Sequence, residues 1–372
     1  MYPTCSIIIV MVLMSQCYSN DNTLQLVIGI FRHGDRTVDK MTVYPKDPYV
    51  NYTYYPYGYG ELTNAGKRRL YNLGKKLRKK YEHFLDAVYT PDLLYATSTK
   101  PPRTKVSLLM LLAGLFPPLS TGFEWDDHIN WTPIPFTSDE EINHIPPFFY
   151  CREFQDLHNA YLETEEVQQR LKHFEKWFPY LSYHTGIKMR SYFNIVQLYY
   201  HLKIQKEIGM KIPLWSFPVF PEPLKNVSTF YLNTFTATKE LRQLYGGKFL
   251  LLLIDIMKQK MNGTLSPINR KLFLFSAHDI NVLTTLSALN TDIYEVPPYG
   301  ACLLLELHKK KTEYFLRIFY EDYTSDDIKQ LNINGCSQDC QFDQFLELVH
   351  DNLPVDNSLC NDSSTAKDPL ED

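Results

Sequence analysis

Two short apolar runs constrain this chain most: Leu24 to Phe31 near its start and Leu272 to Ser276 far downstream. Each has the length of one strand and is rich in Leu, Ile or Phe, the pattern of a strand buried on both faces. Between and beyond them the pattern alternates. Leu70, Leu73, Leu77, Tyr81 and Phe84 recur at helical steps and predict an amphipathic helix. Leu94-Tyr95-Ala96 reads as a further buried strand, leading through Arg103 into a helix from about Thr104 to Leu115 that stops before Pro117-Pro118. Lys248 to Lys260 and Ile280 to Leu289 read as helices, and Ala301 to Leu307 and Tyr314 to Tyr320 as strands. The stretch from about 125 to 230 is dense in aromatic, Pro and charged residues, with helical periods at Leu157 to Phe178 and Tyr192 to Ile208. The expectation is a three-layer α/β/α sandwich carrying an inserted helical cap.

A hydrophobic fraction of 44% marks a globular chain with a substantial core, and a net charge of −4 argues against bulk attraction to nucleic acid or an anionic membrane. One helix runs against that balance: Lys67, Arg68, Arg69, Lys75, Lys76, Arg78, Lys79 and Lys80 make it basic. It reads either as a patch for nucleic acid or phosphoinositides or, in keeping with the acidic whole, as a solvated surface face. At the N-terminus Ile7 to Met14 is a short apolar core, followed by Cys17-Tyr18-Ser19. This is a secretory leader pattern over residues 1–19, the other reading being a buried N-terminal strand. The domain is then expected over 20–356, followed by a polar tail over 357–372 that cannot anchor in a membrane.

Beyond the leader stand five cysteines, Cys151, Cys302, Cys336, Cys340 and Cys360, so at least one is unpaired within the chain. Cys336 and Cys340 are spaced for a tight disulfide loop; a zinc site would need further ligands at regular spacing, and none is nearby. Five sequons, at Asn51, Asn130, Asn226, Asn262 and Asn361, together suit an extracellular glycoprotein.

The first strand ends in Arg32-His33-Gly34-Asp35-Arg36, and the second long apolar run ends in Ala277-His278-Asp279. In an α/β sheet ligands bind at the carboxyl ends of strands, so each run delivers an imidazole to the place where a site forms. Arg32, Arg36 and Arg103 add guanidiniums suited to phosphate oxygens, and Arg103 opens a helix, whose N-terminus favours an anion. Gly34 would let the backbone turn sharply after the strand. Asp279 reads equally as a catalytic carboxyl and as the N-cap of the helix after it.

These motifs resemble the histidine acid phosphatase family, and the resemblance spans nearly all of the mature chain. Beyond the Arg-His-Gly-Asp-Arg run and the distant His-Asp, it rests on Gly60-Glu61-Leu62-Thr63, Gly66, Leu73-Gly74, Arg103-Thr104 and Ala113-Gly114-Leu115-Phe116-Pro117-Pro118. The texture of Tyr44-Pro45-Lys46-Asp47-Pro48-Tyr49 is similar to the insect venom branch. The resemblance implies a phosphoglycerate mutase-like fold and a secreted acid phosphatase, with the lysosomal lumen as the other location. His33 would be the nucleophile that takes the phosphoryl group. Arg32, Arg36, Arg103 and His278 would hold the phosphate, and Asp279 would be the general acid. No metal and no cofactor are implied. The partner would be a small phosphate monoester, and a homodimer is implied. Cys151 would pair with Cys360 and Cys336 with Cys340, leaving Cys302 free and buried. Where the family often has Arg-Ser-Thr-Asp before its helix arginine, this chain has Thr97-Ser98-Thr99-Lys100-Pro101-Pro102, which bears on how Arg103 is held. Two other readings follow: a phytase or lysophosphatidate phosphatase relative, and a venom or binding protein that kept the fold but lost turnover.

Overall fold

The computed structural model describes residues 23–138 and 151–355. The segments read from sequence as a leader and a C-terminal tail, with Cys360 and Asn361, lie outside the described residues. In chain order the strands are β1 (Leu24–Arg32), β2 (Leu94–Ser98), β3 (Leu272–Ala277), β4 (Cys302–Lys310), β5 (Glu313–Glu321), β6 (Lys329–Leu331) and β7 (Cys340–Gln341). They form one sheet of order β2-β3-β1-β4-β5-β6, with β7 added to β5. β2, β3 and β1 are mutually parallel, so their carboxyl ends emerge side by side. β4 runs antiparallel to β1, and β5 antiparallel to β4. The sequence pattern left that direction unassigned.

Alternation along the strands divides the core between two faces. Leu26, Ile28 and Ile30 of β1 join Phe273, Phe275, Leu303 and Leu305 on one face. Val27 and Phe31 join Leu272, Leu274 and Leu304 on the other. The second face is covered by α1 (Asn64–Lys80) and α2 (Pro102–Leu115). Gly74 and Gly114 let these two helices touch backbone to backbone: a Cβ on Gly74 would run into the Leu111 carbonyl, and one on Gly114 into that of Tyr71.

Before β3 the chain forms α3 (Arg152–Leu162), α4 (Glu165–Glu175), α5 (Phe178–Thr185), α6 (Tyr192–Glu207), α7 (Leu224–Asn233), α8 (Lys239–Arg242) and α9 (Lys248–Asn262). After β3 come α10 (Asp279–Ala288) and, late in the chain, α11 (Phe342–Val349). Helices α9, α10 and α11 cover the first face of the sheet. Helices α4 to α7 hold a separate apolar cluster around Leu171, Leu181, Leu198, Leu202 and Val219, into which Tyr44 inserts from the loop after β1. The predicted helix from Leu157 to Phe178 is broken in two places. Thr164 is extended at φ −63 and ψ 147 and starts a new helix. Pro179, which has no N–H to donate, sits in the first turn of another.

Half of the basic residues of α1 are engaged. Lys80 pairs with Glu306 at 3.0 Å, Lys76 pairs with Glu321, and Arg78 donates to the Asp86 carbonyl at 2.7 Å. Arg69 grips Asp35 through Nε–Oδ2 at 2.6 Å and Nη2–Oδ1 at 3.0 Å. Lys76, Lys80 and Arg69 hold the sheet and the loop after β1 onto the helix, while Arg68, Lys75 and Lys79 are exposed, as on a solvated face. Cys336 and Cys340 form a disulfide, and Cys302 is free and buried in the sheet.

Candidate active site

The carboxyl ends of β1 and β3 adjoin in the sheet, with Arg32 opposite Ala277. His33 follows Arg32, and its backbone N–H donates to the Ala277 carbonyl at 3.0 Å. The loop it starts is pressed against α1. A Cβ on Gly34 would strike the Gly66 backbone, and Gly34 has no positive φ. Its role is therefore close approach, not the sharp turn expected from sequence. The Gly34 N–H donates to Ser107 Oγ of α2 at 3.1 Å, so both helices of that layer support the loop.

His33 Nδ1 lies 2.9 Å from the Gly34 carbonyl oxygen. A carbonyl only accepts, so Nδ1 carries the hydrogen and Nε2 keeps its lone pair. Burial, then the charges of Arg103, Arg32 and Arg36, hold the ring well below the usual histidine range. Both causes favour the neutral ring, in which Nε2 offers a free pair.

His278 faces it, with ring centroids 5.5 Å apart and planes at 75°. Its ring accepts the backbone N–H of Asn281, so the hydrogen sits on Nε2, 3.1 Å from Thr99 Oγ1. Burial and Arg103 lower it to about 3. The two imidazoles are therefore neutral in opposite tautomers: one offers a lone pair, the other an N–H.

Three guanidiniums surround them. Arg32 donates through Nη1 to the Pro297 carbonyl at 2.7 Å and pairs through Nη2 with Asp279 Oδ2 at 3.0 Å. Arg36 and Arg103 share Asp39, with Arg36 Nη1–Oδ2 at 2.7 Å and Arg103 Nη1–Oδ1 at 3.4 Å. Gly60 makes room for that carboxylate, since a Cβ there would lie 2.5 Å from Asp39 Oδ1. The Nε–H of each of these arginines is buried with no partner among the described residues. Buried donors are normally satisfied, and three guanidiniums whose charges all bear on the His33 imidazole suit an anion with several oxygens.

The Thr97 to Pro102 segment, where the chain departs from the family pattern, supports Arg103. Pro102 occupies the first turn of α2, where a missing N–H costs nothing. Thr99 Oγ1 donates to Thr104 Oγ1 at 3.0 Å, and Thr104 Oγ1 in turn donates to the Pro101 carbonyl at 2.8 Å. This chain ties His278 to the turn that carries Arg103. Lys100 is exposed.

Asp279 is the first residue of α10 and the N-cap is His278, which corrects the capping role considered from sequence. Burial alone would raise its carboxyl. Arg32, His278, the Ile280 N–H and the Tyr200 hydroxyl outweigh that and hold it below the usual carboxylate range. Tyr200, on α6, donates to Oδ2 at 3.1 Å.

Four residues of this site escaped the sequence reading: Asp39, Thr99, Tyr200 and Tyr299. The Tyr299 ring lies 4.1 Å from the Arg32 guanidinium and 5.7 Å from the His33 ring. Its hydroxyl is buried without a partner among the described residues. Burial pushes that hydroxyl up against the pull of Arg36 and Arg32, so it remains a donor. Among the described residues no cluster of three or more His, Cys, Asp or Glu is disposed to hold a metal.

The sequence matches the histidine phosphatase superfamily, branch 2, over residues 23–321. It is 33% identical over 343 residues to venom acid phosphatase Acph-1 of Apis mellifera, covering 91% of this chain and 88% of that one. It is 32% identical to human prostatic acid phosphatase, covering 90% of this chain and 86% of that one. Among solved structures the apo form of Hafnia alvei phytase has the same fold, with a TM-score of 0.65 at 16% identity, covering 89% of this chain and 97% of that one.

Proposed function

The chain belongs to branch 2 of the histidine phosphatase superfamily, and from that premise we propose that it is an acid phosphatase hydrolysing phosphate monoesters through a phosphohistidine on His33, without a metal. The observation that carries this reading is His33 with its hydrogen held on Nδ1, under the charges of three arginines whose Nε–H groups have no partner among the described residues. The phosphoryl group takes its oxygens to Arg32, Arg36, Arg103 and the Nε2–H of His278. His33 Nε2 attacks phosphorus as the P–O bond to the alcohol breaks. Such a transition state needs positioning and positive charge, which these side chains supply. Asp279 protonates the departing oxygen and then draws a proton from the water that cleaves the P–N bond.

Hydrolysis of p-nitrophenyl phosphate from pH 3 to 8 in EDTA tests the reading. The expected result is acid-side turnover that survives chelation. A folded but inactive protein would favour the binding-protein reading instead.

The Tyr299 hydroxyl is suited to donate to the same phosphoryl group. Tyr299→Phe keeps the ring under Arg32 and removes only the donor. It should raise KM and the inhibition constant of inorganic phosphate together by roughly tenfold, the cost of one hydrogen bond to a charged group. Unchanged phosphate inhibition would leave Tyr299 a packing residue.

An oxidising, non-cytosolic location is supported by the Cys336–Cys340 disulfide and by the exposure of Asn51, Asn130, Asn226 and Asn262. The helices of the described residues include none long and apolar enough to cross a membrane. A homodimer has a candidate face in Phe123 and Trp125, 69% and 55% exposed. They lie in the segment leading to Thr137, which bridges to the edge strand β2.

A further inference from the structure

The mouth of the site on the Asp279 side is built by one face of α6. Tyr200 reaches Asp279 from this helix, and Lys203 follows it one turn later. Lys203 Nζ stands 4.9 Å from the centre of the Tyr299 ring, the same ring that lies 4.1 Å from the Arg32 guanidinium. Lys203 is 27% exposed, and its Nζ pairs at 2.6 Å with Glu207, one turn further on and 37% exposed. Burial pulls the ammonium down and Arg32 adds to that, whereas Glu207 and Asp279 hold it up. It is thus a partly desolvated cation whose counter-ion is at the rim, beside the carboxyl that protonates the leaving oxygen.

This position has a chemical consequence. In this reading Asp279 protonates the leaving oxygen, and the side chain packed on Asp279 is Tyr200 of α6, so the alcohol is released beside α6. A neutral alcohol meets there a cation already paired. An alcohol bearing its own anion can take the place of the Glu207 carboxylate on Lys203, gaining a charge-assisted bond in a partly water-excluded mouth. A lysine suits this task, being a compact charge on a flexible stem.

Resting on the acid phosphatase reading above, we propose that Lys203 and Glu207 form a selector for the leaving group. The favoured substrates are phosphate monoesters whose alcohol carries a carboxylate or second phosphate close to the ester oxygen. Glu207 sets the threshold by competing for the lysine, and Tyr299 links the selector to the phosphate clamp through the two cations on its ring.

The test compares glycerate 2-phosphate with glycerol 2-phosphate, which differ in the leaving alcohol by a carboxylate in place of a hydroxymethyl group. The readout is the ratio of kcat/KM for the two esters. Lys203→Met should lower that ratio roughly tenfold, the equivalent of one charged hydrogen bond. Glu207→Gln should raise it, since the amide competes more weakly. Opposite movements in the two variants support the selector. A ratio unmoved in both, or lowered in both, overturns it. If Lys203→Met fails to fold, the direction of the Glu207→Gln change decides alone. A wild type that hydrolyses neither ester nor p-nitrophenyl phosphate overturns the phosphatase reading itself, and a wild type that hydrolyses them with a ratio insensitive to Lys203 and Glu207 overturns only the selector.

Discussion

Replacing His33 by alanine is expected to lower kcat for p-nitrophenyl phosphate by a factor on the order of 10⁵, the scale of losing a catalytic nucleophile. Its Nε2 is the lone pair the site presents, because the Gly34 carbonyl holds the hydrogen on Nδ1, and burial, with the charges of three arginines, favours the neutral ring. Those arginines would remain in the variant, so KM should move much less than kcat. Quenching in alkali with phosphoryl-labelled substrate separates this from general damage. The wild type should retain label that is lost in acid and stable in base, as a phosphoramidate is, and His33→Ala should retain none. A variant keeping most of its turnover, or a wild type that never carries label, would remove His33 from the role.

Asp279→Asn should lower kcat by roughly 10² to 10⁴, the range for removing a general acid, with larger losses for alkyl esters than for the nitrophenyl ester. An amide cannot protonate a poor leaving group, whereas nitrophenolate hardly needs the proton. The direction of the pKa shift adds a point about pH. The Asp279 carboxyl is held below the usual range, so in the free site it is already ionised at mildly acid pH. Its proton must then arrive with the substrate. A phosphate monoester is a monoanion below its second ionisation near pH ~6 and has lost that proton above it. Activity should therefore be present on the acid side and fall as pH rises through the ester's second pKa. An ester with a lower second pKa should carry this limb down with it. If the limb stays put across such esters, the proton comes from the enzyme, and the depressed Asp279 is not the state that binds substrate.

The acid preference expected of this chain acquires a second physical basis from the histidines. A nucleophilic imidazole with an ordinary pKa would be disabled at pH 5. In this site burial and positive charge move both rings down, His278 to about 3. Burial and the same guanidiniums suited to phosphate therefore also keep the proposed nucleophile deprotonated.

Much of this was legible along the chain. The apolar runs of β1 and β3, with Arg32, His33 and His278 at their ends, are local signals: backbone direction places those side chains wherever the strands are placed. Arg103 was legible because it opens a helix after a strand. Asp39 was not, since nothing in its neighbourhood marks a carboxylate that will bridge two arginines from different segments. Tyr200 and Lys203 lie in a helix crowded with Tyr, Leu and Ile, where period alone cannot say which residue faces a distant aspartate. Tyr299 precedes β4 in a loop with no pattern of its own.

The sequence by itself determined which segments are buried strands, where the helices of the sheet layers run, and which cations and imidazoles stand at strand ends. These follow from side-chain period and from the chemistry of adjacent residues. Only the tertiary structure decided the direction of β4 and β5; β4, buried along most of its length, looks equally apolar whether parallel or antiparallel. It also decided the tautomers of His33 and His278, the depressed carboxyl of Asp279, and the meeting of Tyr200, Lys203 and Tyr299 at the mouth. Each depends on which groups lie within a few ångströms, and hydrogen bonds and charges act at that range regardless of separation along the chain.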